Sequence, residues 1–211
     1  MEIKPIIIAG CGPGGLDYVT PAAMHAIKQA EVLVGARRLL DTFPEVAAQR
    51  IVVGADVPKA LDMIAEHLGQ RRIVVLVTGD PGLCSLARPV VKRFGRNACR
   101  VIPGISSVHA AFASVGTEWF GACILSAHDH APELEPASLV DESKLALLAG
   151  NPANAAWVDA LAAEMFATHD LFVCENLTLA NESVRRVDCL QLPMNLASRT
   201  ILLFIKKEES L

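Results

Sequence analysis

Arg72-Ile73-Val74-Val75-Leu76-Val77-Thr78-Gly79-Asp80-Pro81-Gly82 is the stretch on which the reading of the fold turns. Its aliphatic run carries no polar alternation, which predicts a strand buried on both faces, as in a parallel sheet. Gly-Asp-Pro-Gly then stops the run. Glycine supplies a positive φ, proline fixes its own φ, and an aspartate side chain bonds to the main chain two residues on. A buried strand delivered into a tight loop is where α/β proteins hold their ligands.

Working outward, strand and helix patterns alternate with short connections. Upstream, 6–9 reads as the first strand and 10–19 as a glycine-rich loop. Thr20-Pro21 is a helix start, with Thr20 as N-cap and proline at the first helical position. Strands follow at 31–35 and 51–53, with helices at 36–40 and 57–68. Downstream come a helix at 86–94, a strand at 100–102 closed by Pro103-Gly104, and an apolar helix at 108–115 behind Ser106-Ser107. This alternation predicts a parallel sheet covered on both faces. At Trp119-Phe120 the texture changes, and the expected boundary falls there, with one α/β domain over 1–116 and a second over 117–211. The second offers strands at 122–125, 144–149 and 171–174 and a helix at 154–166. Its last two strands, 183–187 and 200–205, would suit antiparallel pairing.

Composition narrows the function. Of 211 residues 52% are hydrophobic and 20% charged, so a packed core is expected. The richest apolar stretch, 145–167, is broken by Asn151, Pro152, Asn154, Asp159 and Glu164, so no membrane span is expected. A net charge of −4 without a basic run argues against nucleic acid as a partner. The N-terminus enters the first strand without a secretory leader, and six scattered cysteines (Cys11, Cys84, Cys99, Cys123, Cys174, Cys189) include no C-x-x-C pair. Reduced thiols in a cytoplasmic protein are therefore expected.

Gly10, Gly12 and Gly15 satisfy G-x-G-x-x-G, which opens a dinucleotide reading. In a dinucleotide fold the helix starts at the glycines, whereas here it starts at Thr20-Pro21, and Glu31 opens the second strand where an acidic residue should close it. Arg37 and Arg38 could hold a 2′-phosphate, so an NADP-dependent reductase is one alternative; a catalytically silent carrier is another. His128-x-His130 lacks further ligands nearby, so no metal site is expected.

Gly10-Cys11-Gly12-Pro13-Gly14, the Gly79-Asp80-Pro81 turn and Pro103-Gly104-Ile105-Ser106-Ser107 form a three-part pattern in fixed order. With Ser126-Ala127-His128 and Cys174-Glu175-Asn176-Leu177-Thr178 it resembles the tetrapyrrole (corrin/porphyrin) methylases, and most of all their members that methylate carbon 5 of (cobalt-)precorrin-6B in cobalamin biosynthesis. The resemblance implies two α/β domains with a trough between them, S-adenosylmethionine as methyl donor, a homodimer, and a corrin precursor rich in acetate and propionate groups as substrate. Matching positions on the cofactor are Thr78, Gly79, Asp80, Ser106, Ser107, Leu148 and Ala149. Those on the substrate are Gly12, Pro13, Gly14, His128 and Glu175. No catalytic side chain is expected, because the cofactor carries the reactive group and the protein holds donor and acceptor in line. Arg37, Arg38 and Arg88 are candidates for the substrate's carboxylates. One departure stands out: Cys84 occupies a position where the family carries an aromatic residue.

Overall fold

The computed structural model describes residues 4–188 and 196–207; Cys189 lies outside them. The chain divides into two compact units, 1–106 and 107–211. The division falls ten residues before the expected one.

In the first unit β1 (Ile6–Gly10), β2 (Val32–Gly35), β3 (Gln49–Val52), β4 (Ile73–Val77) and β5 (Cys99–Ile102) form a sheet in the order β3-β2-β4-β1-β5. All its pairings are parallel. β4 is central and every residue of it is buried, as its unbroken aliphatic run predicts. The helices α1 (Pro21–Lys28), α2 (Arg37–Leu40), α3 (Val57–Ala65) and α4 (Ala87–Phe94) connect the strands. α1 and α2 lie on one face, where Ile27, Leu40 and Phe43 pack on Leu33, Val74 and Leu76. α3 and α4 lie on the other, where Ile64 and Val90 pack on Ile8, Val34, Val75 and Val77. Right-handed crossovers require this: the chain moves one way along the sheet through α1 and α2, then back through α3 and α4. β4 is therefore flanked on both sides, by β2 and by β1, by strands whose connections leave to the opposite face. The crevices of such a sheet open at those two places.

Local signals set the element ends. Thr20 caps α1, its side chain accepting from Ala23 N at 3.2 Å, with Pro21 first in the helix. Asp56 does the same for α3 through Lys59 N at 3.0 Å.

The second unit opens with α5 (Ser107–Val115), which packs against the last strand of its own unit, β10 (Thr200–Lys206). With β6 (Cys123–Ser126), β7 (Lys144–Ala149), β8 (His169–Glu175) and β9 (Ser183–Arg186), that strand makes a mixed sheet in the order β6-β7-β10-β8-β9. β6 and β7 are parallel; β10 runs antiparallel to both β7 and β8, and β9 is antiparallel to β8. α6 (Ala155–Met165) covers one face through Val158, Leu161 and Met165.

Candidate functional site

On the first sheet the crevice between β4 and β1 is closed by main chain. Cys11 N donates to Val77 O at 2.9 Å, and Gly79 N donates to Gly12 O at 2.7 Å, so the glycine-rich loop is laced to the turn after β4. The third turn joins them through Asp80, whose Oδ1 accepts from Gly82 N at 2.7 Å and whose Oδ2 accepts from Gly104 N at 3.0 Å. Three backbones meet so closely that a Cβ on Gly104 would lie 2.3 Å from Gly79 O, and one on Gly10 would lie 2.6 Å from Gly104 N. Glycine is required there by contact distance. At Gly12 and Gly79 it is required by φ values of 71° and 67°.

This geometry removes the dinucleotide reading. α1 starts at Pro21, and a 3-10 turn over Leu16–Tyr18 separates it from the glycines. α1 therefore does not begin at the glycines, where its N-terminus would receive a pyrophosphate, and the Cys11 amide already bonds to protein main chain.

The crevice on the other side of β4, toward β2, stays open. A cavity of about 180 Å³ lies there, lined by Ala36, Leu39, Val53, Leu76, Val77, Thr78, Cys84, Ser85 and Leu86. Arg38, on α2, donates from Nη2 to Thr78 Oγ1 at 2.7 Å.

In the second unit β6, β7 and β8 all point the same way, so the loops that follow them emerge along one edge. Two asparagines after β7 hold the loop after β6. Asn151 Nδ2 donates to His128 O at 2.8 Å, and Asn154 Nδ2 donates to Ala127 O at 2.7 Å. Glu175, at the end of β8, accepts from Ala197 N at 3.0 Å and pairs with Arg185 at 3.3 Å. That is the structural pairing its position between β8 and β9 invites. Gly150, with φ 97°, brings its own turn against the segment before β10, where a Cβ would meet Ala197 O at 2.3 Å.

The expected residues thus fall into two groups. Gly12, Thr78, Gly79 and Asp80 come together on the first sheet's edge, with Pro13 buried and Gly14 half-buried in the same loop. Ser106 is buried just before α5, and Ser107 is the first residue of that helix. Leu148 and Ala149 end β7, His128 is exposed, and Glu175 faces its ion-pair partner. The asparagine clamp escaped the sequence reading. Its only signal was Gly150-Asn151-Pro152-Ala153-Asn154 directly after a strand, a pattern that looks like ordinary helix-start chemistry.

The thiols offer no nucleophile in the cores of these units. Burial pushes Cys11 and Cys174 up to about 12. What the first unit brings together at the end of β4 is three loops joined through main chain, with Thr78, Gly79 and Asp80 among them.

Residues 5–193 match the model of the tetrapyrrole (corrin/porphyrin) methylases. The chain belongs to that family. The methylase is 33% identical to a cobalt-precorrin-7 C(5)-methyltransferase of Salmonella typhimurium over 85% of its own length and 88% of the relative's. Among solved structures it resembles the methyltransferase CobJ, with a TM-score of 0.80 at 22% identity, covering 96% of this chain and 94% of that one. It also resembles a Thermus thermophilus uroporphyrin-III C-methyltransferase complexed with S-adenosylhomocysteine, with a TM-score of 0.70 at 17% identity and 95% and 97% coverage. Among the described residues no helix is long and apolar enough to cross a membrane.

Proposed function

We propose that this methylase transfers a methyl group from S-adenosylmethionine to carbon 5 of (cobalt-)precorrin-6B. The observation that carries the reading is the 33% identity, over most of both chains, to a relative named for carbon-5 methylation. When bound, the sulfonium supplies the electrophilic methyl, so the chain's residues have only to bind, orient and exclude water.

Thr78, Gly79, Asp80, Ser106, Ser107, Leu148 and Ala149 are the proposed cofactor residues, and Gly12, Pro13, Gly14, His128 and Glu175 the proposed substrate residues. The geometry supports an indirect role for three of them. Both Asp80 oxygens accept main-chain amides, so Asp80 shapes the turn and leaves contact with the cofactor to the backbone of 78–80. Gly12 acts through Gly79 in the same way, and Glu175 ties the end of β8 to the Ala197 amide.

The protein works as a homodimer in the cytoplasm. Trp119 and Phe120, 51% and 82% exposed, together with Ile124 on the edge strand β6 support a covered interface there. The described cysteines are free thiols, in keeping with a reducing compartment.

Calorimetric titration with S-adenosylhomocysteine, paired with incubation of the enzyme with S-adenosylmethionine and precorrin-6B, tests the assignment. Binding of S-adenosylhomocysteine and a mass gain of one methyl on the corrin, placed at carbon 5 by NMR, are expected. Methylation at another carbon, or none, would overturn it.

A further inference from the structure

We propose that Arg199 and Asn176, which adjoin at the end of the second sheet, form a subsite for one carboxylate of the substrate's side arms, an assignment that rests on the corrin-precursor reading above. The guanidinium takes the carboxylate, and the Asn176 side-chain amide adds a further donor.

The main chain brings the two residues together. β8 and β10 pair antiparallel with Glu175 opposite Thr200, and the ladder runs one step further, Asn176 N donating to Arg199 O at 3.3 Å. Asn176 takes φ 51°, a left-handed conformation that asparagine tolerates better than most side chains. Thr200 is also paired with Ala149 at the end of β7, and the Gly150 turn lies against Ala197 and Ser198. Arg199 is thus flanked by the ends of two strands whose last residues, Ala149 and Glu175, are already among the proposed cofactor and substrate positions.

Charge then selects the ligand. Arg199 and Asn176 are both half-buried, and among the described residues neither side chain has a hydrogen bond or an ion pair. A cation drawn in from solvent is ordinarily paired. The acids nearby are taken: Glu175 pairs with Arg185 at 3.3 Å and accepts from Ala197 N, and the Glu182 carboxylate accepts from Thr178 N. One positive charge is left over beside an amide that can donate, which matches a carboxylate. The carboxylate of S-adenosylmethionine is the poorer fit. Its ammonium, on the adjoining carbon, would meet the same guanidinium while Glu175 is already paired. The acetate and propionate groups of a corrin precursor carry no such cation.

Titration calorimetry with cobyrinic acid, a corrin heptacarboxylate, and with its heptamethyl ester tests the assignment. The wild type should bind the acid, and Arg199→Gln should weaken that binding at least tenfold. Arg199→Lys should fall in between, because it keeps the charge and loses the fork. Asn176→Gly should weaken it at least threefold while the urea midpoint does not fall, since glycine adopts the same φ freely; a residue serving only the turn would leave binding untouched there. The ester should bind the wild type and Arg199→Gln alike, and S-adenosylhomocysteine affinity should stay within twofold of the wild type in every variant. KM for precorrin-6B should rise at least fivefold in Arg199→Gln. Wild-type affinity for the acid in Arg199→Gln, no binding of the acid by the wild type, or equal losses for acid and ester would overturn the proposal. So would a loss of S-adenosylhomocysteine affinity with the acid unaffected, which would put the cofactor's carboxylate there instead. Absence of carbon-5 methylation by the wild type would overturn the reading on which the proposal rests, whereas the calorimetry needs no turnover.

Discussion

Asp80 shows how one side chain can tie two turns together, its two oxygens accepting from Gly82 N and Gly104 N. A carboxylate accepting two main-chain amides is worth about 1.5–3 kcal/mol per bond when buried and less when partly exposed, and Asp80 is half-buried. Asp80→Ala should lower unfolding free energy by about 2 kcal/mol in urea titration. S-adenosylhomocysteine affinity should fall with it, because the 79–82 turn and the Gly104 turn separate. A loss of affinity without any loss of stability would show direct contact instead. Gly104→Ala probes the same assembly sterically. The added methyl meets backbone at 2.3 Å and 2.9 Å, which no rotamer change relieves. Destabilisation of about 2 kcal/mol or more is expected, measured by the same titration. The requirement for glycine at position 10 or 104 was legible as a motif, but its cause was not: three turns distant in sequence occupy one another's space.

At the scale of elements, the strand and helix order was readable because periodicity and caps are local. β4 read as a buried strand from its aliphatic run, and α1 from Thr20-Pro21. α5 is the instructive difference. Its sequence says only that it is an apolar helix, and position in the chain suggested that it closed the first domain. Its packing against β10, about ninety residues on, assigns it to the second unit. The loop after β6 belongs at this scale too. Asn154 Nδ2 on Ala127 O and Asn151 Nδ2 on His128 O and Asp129 O hold three successive carbonyls. Asn154→Ala should cost about 1 kcal/mol and speed amide hydrogen exchange selectively across 126–131. Uniform acceleration throughout the second unit would instead indicate loss of the whole sheet's stability.

For the whole molecule, the buried thiols set a limit at high pH. Cys11 and Cys174 are raised from the ordinary 9.0 to about 12, chiefly by burial. The folded state keeps its protons where the unfolded chain releases them. The contribution is fully present below pH 9 and is lost between pH 9 and 12, by about 1.4 kcal/mol per pH unit for each thiol. Denaturant midpoints should hold steady up to pH 9 and then fall. In Cys11→Ala/Cys174→Ala the profile above pH 9 should be flatter, though the starting stability is lower. An unchanged slope would place the alkaline loss on other groups.

The sequence by itself determined the alternation of elements, the glycine and Gly-Asp-Pro turns and the family, because these depend on local propensity and short motifs that need no partner to be recognised. Tertiary structure alone decided that the glycine loop closes the β1 side of β4 with main chain and leaves the β2 side open. It also decided that Arg38 lies on Thr78 and that Asn151 and Asn154 clamp the 127–129 loop. The reason is physical. Strand order follows from crossover handedness and from which faces the helices can cover, and residues 23 to 40 positions apart become neighbours only after that order is set.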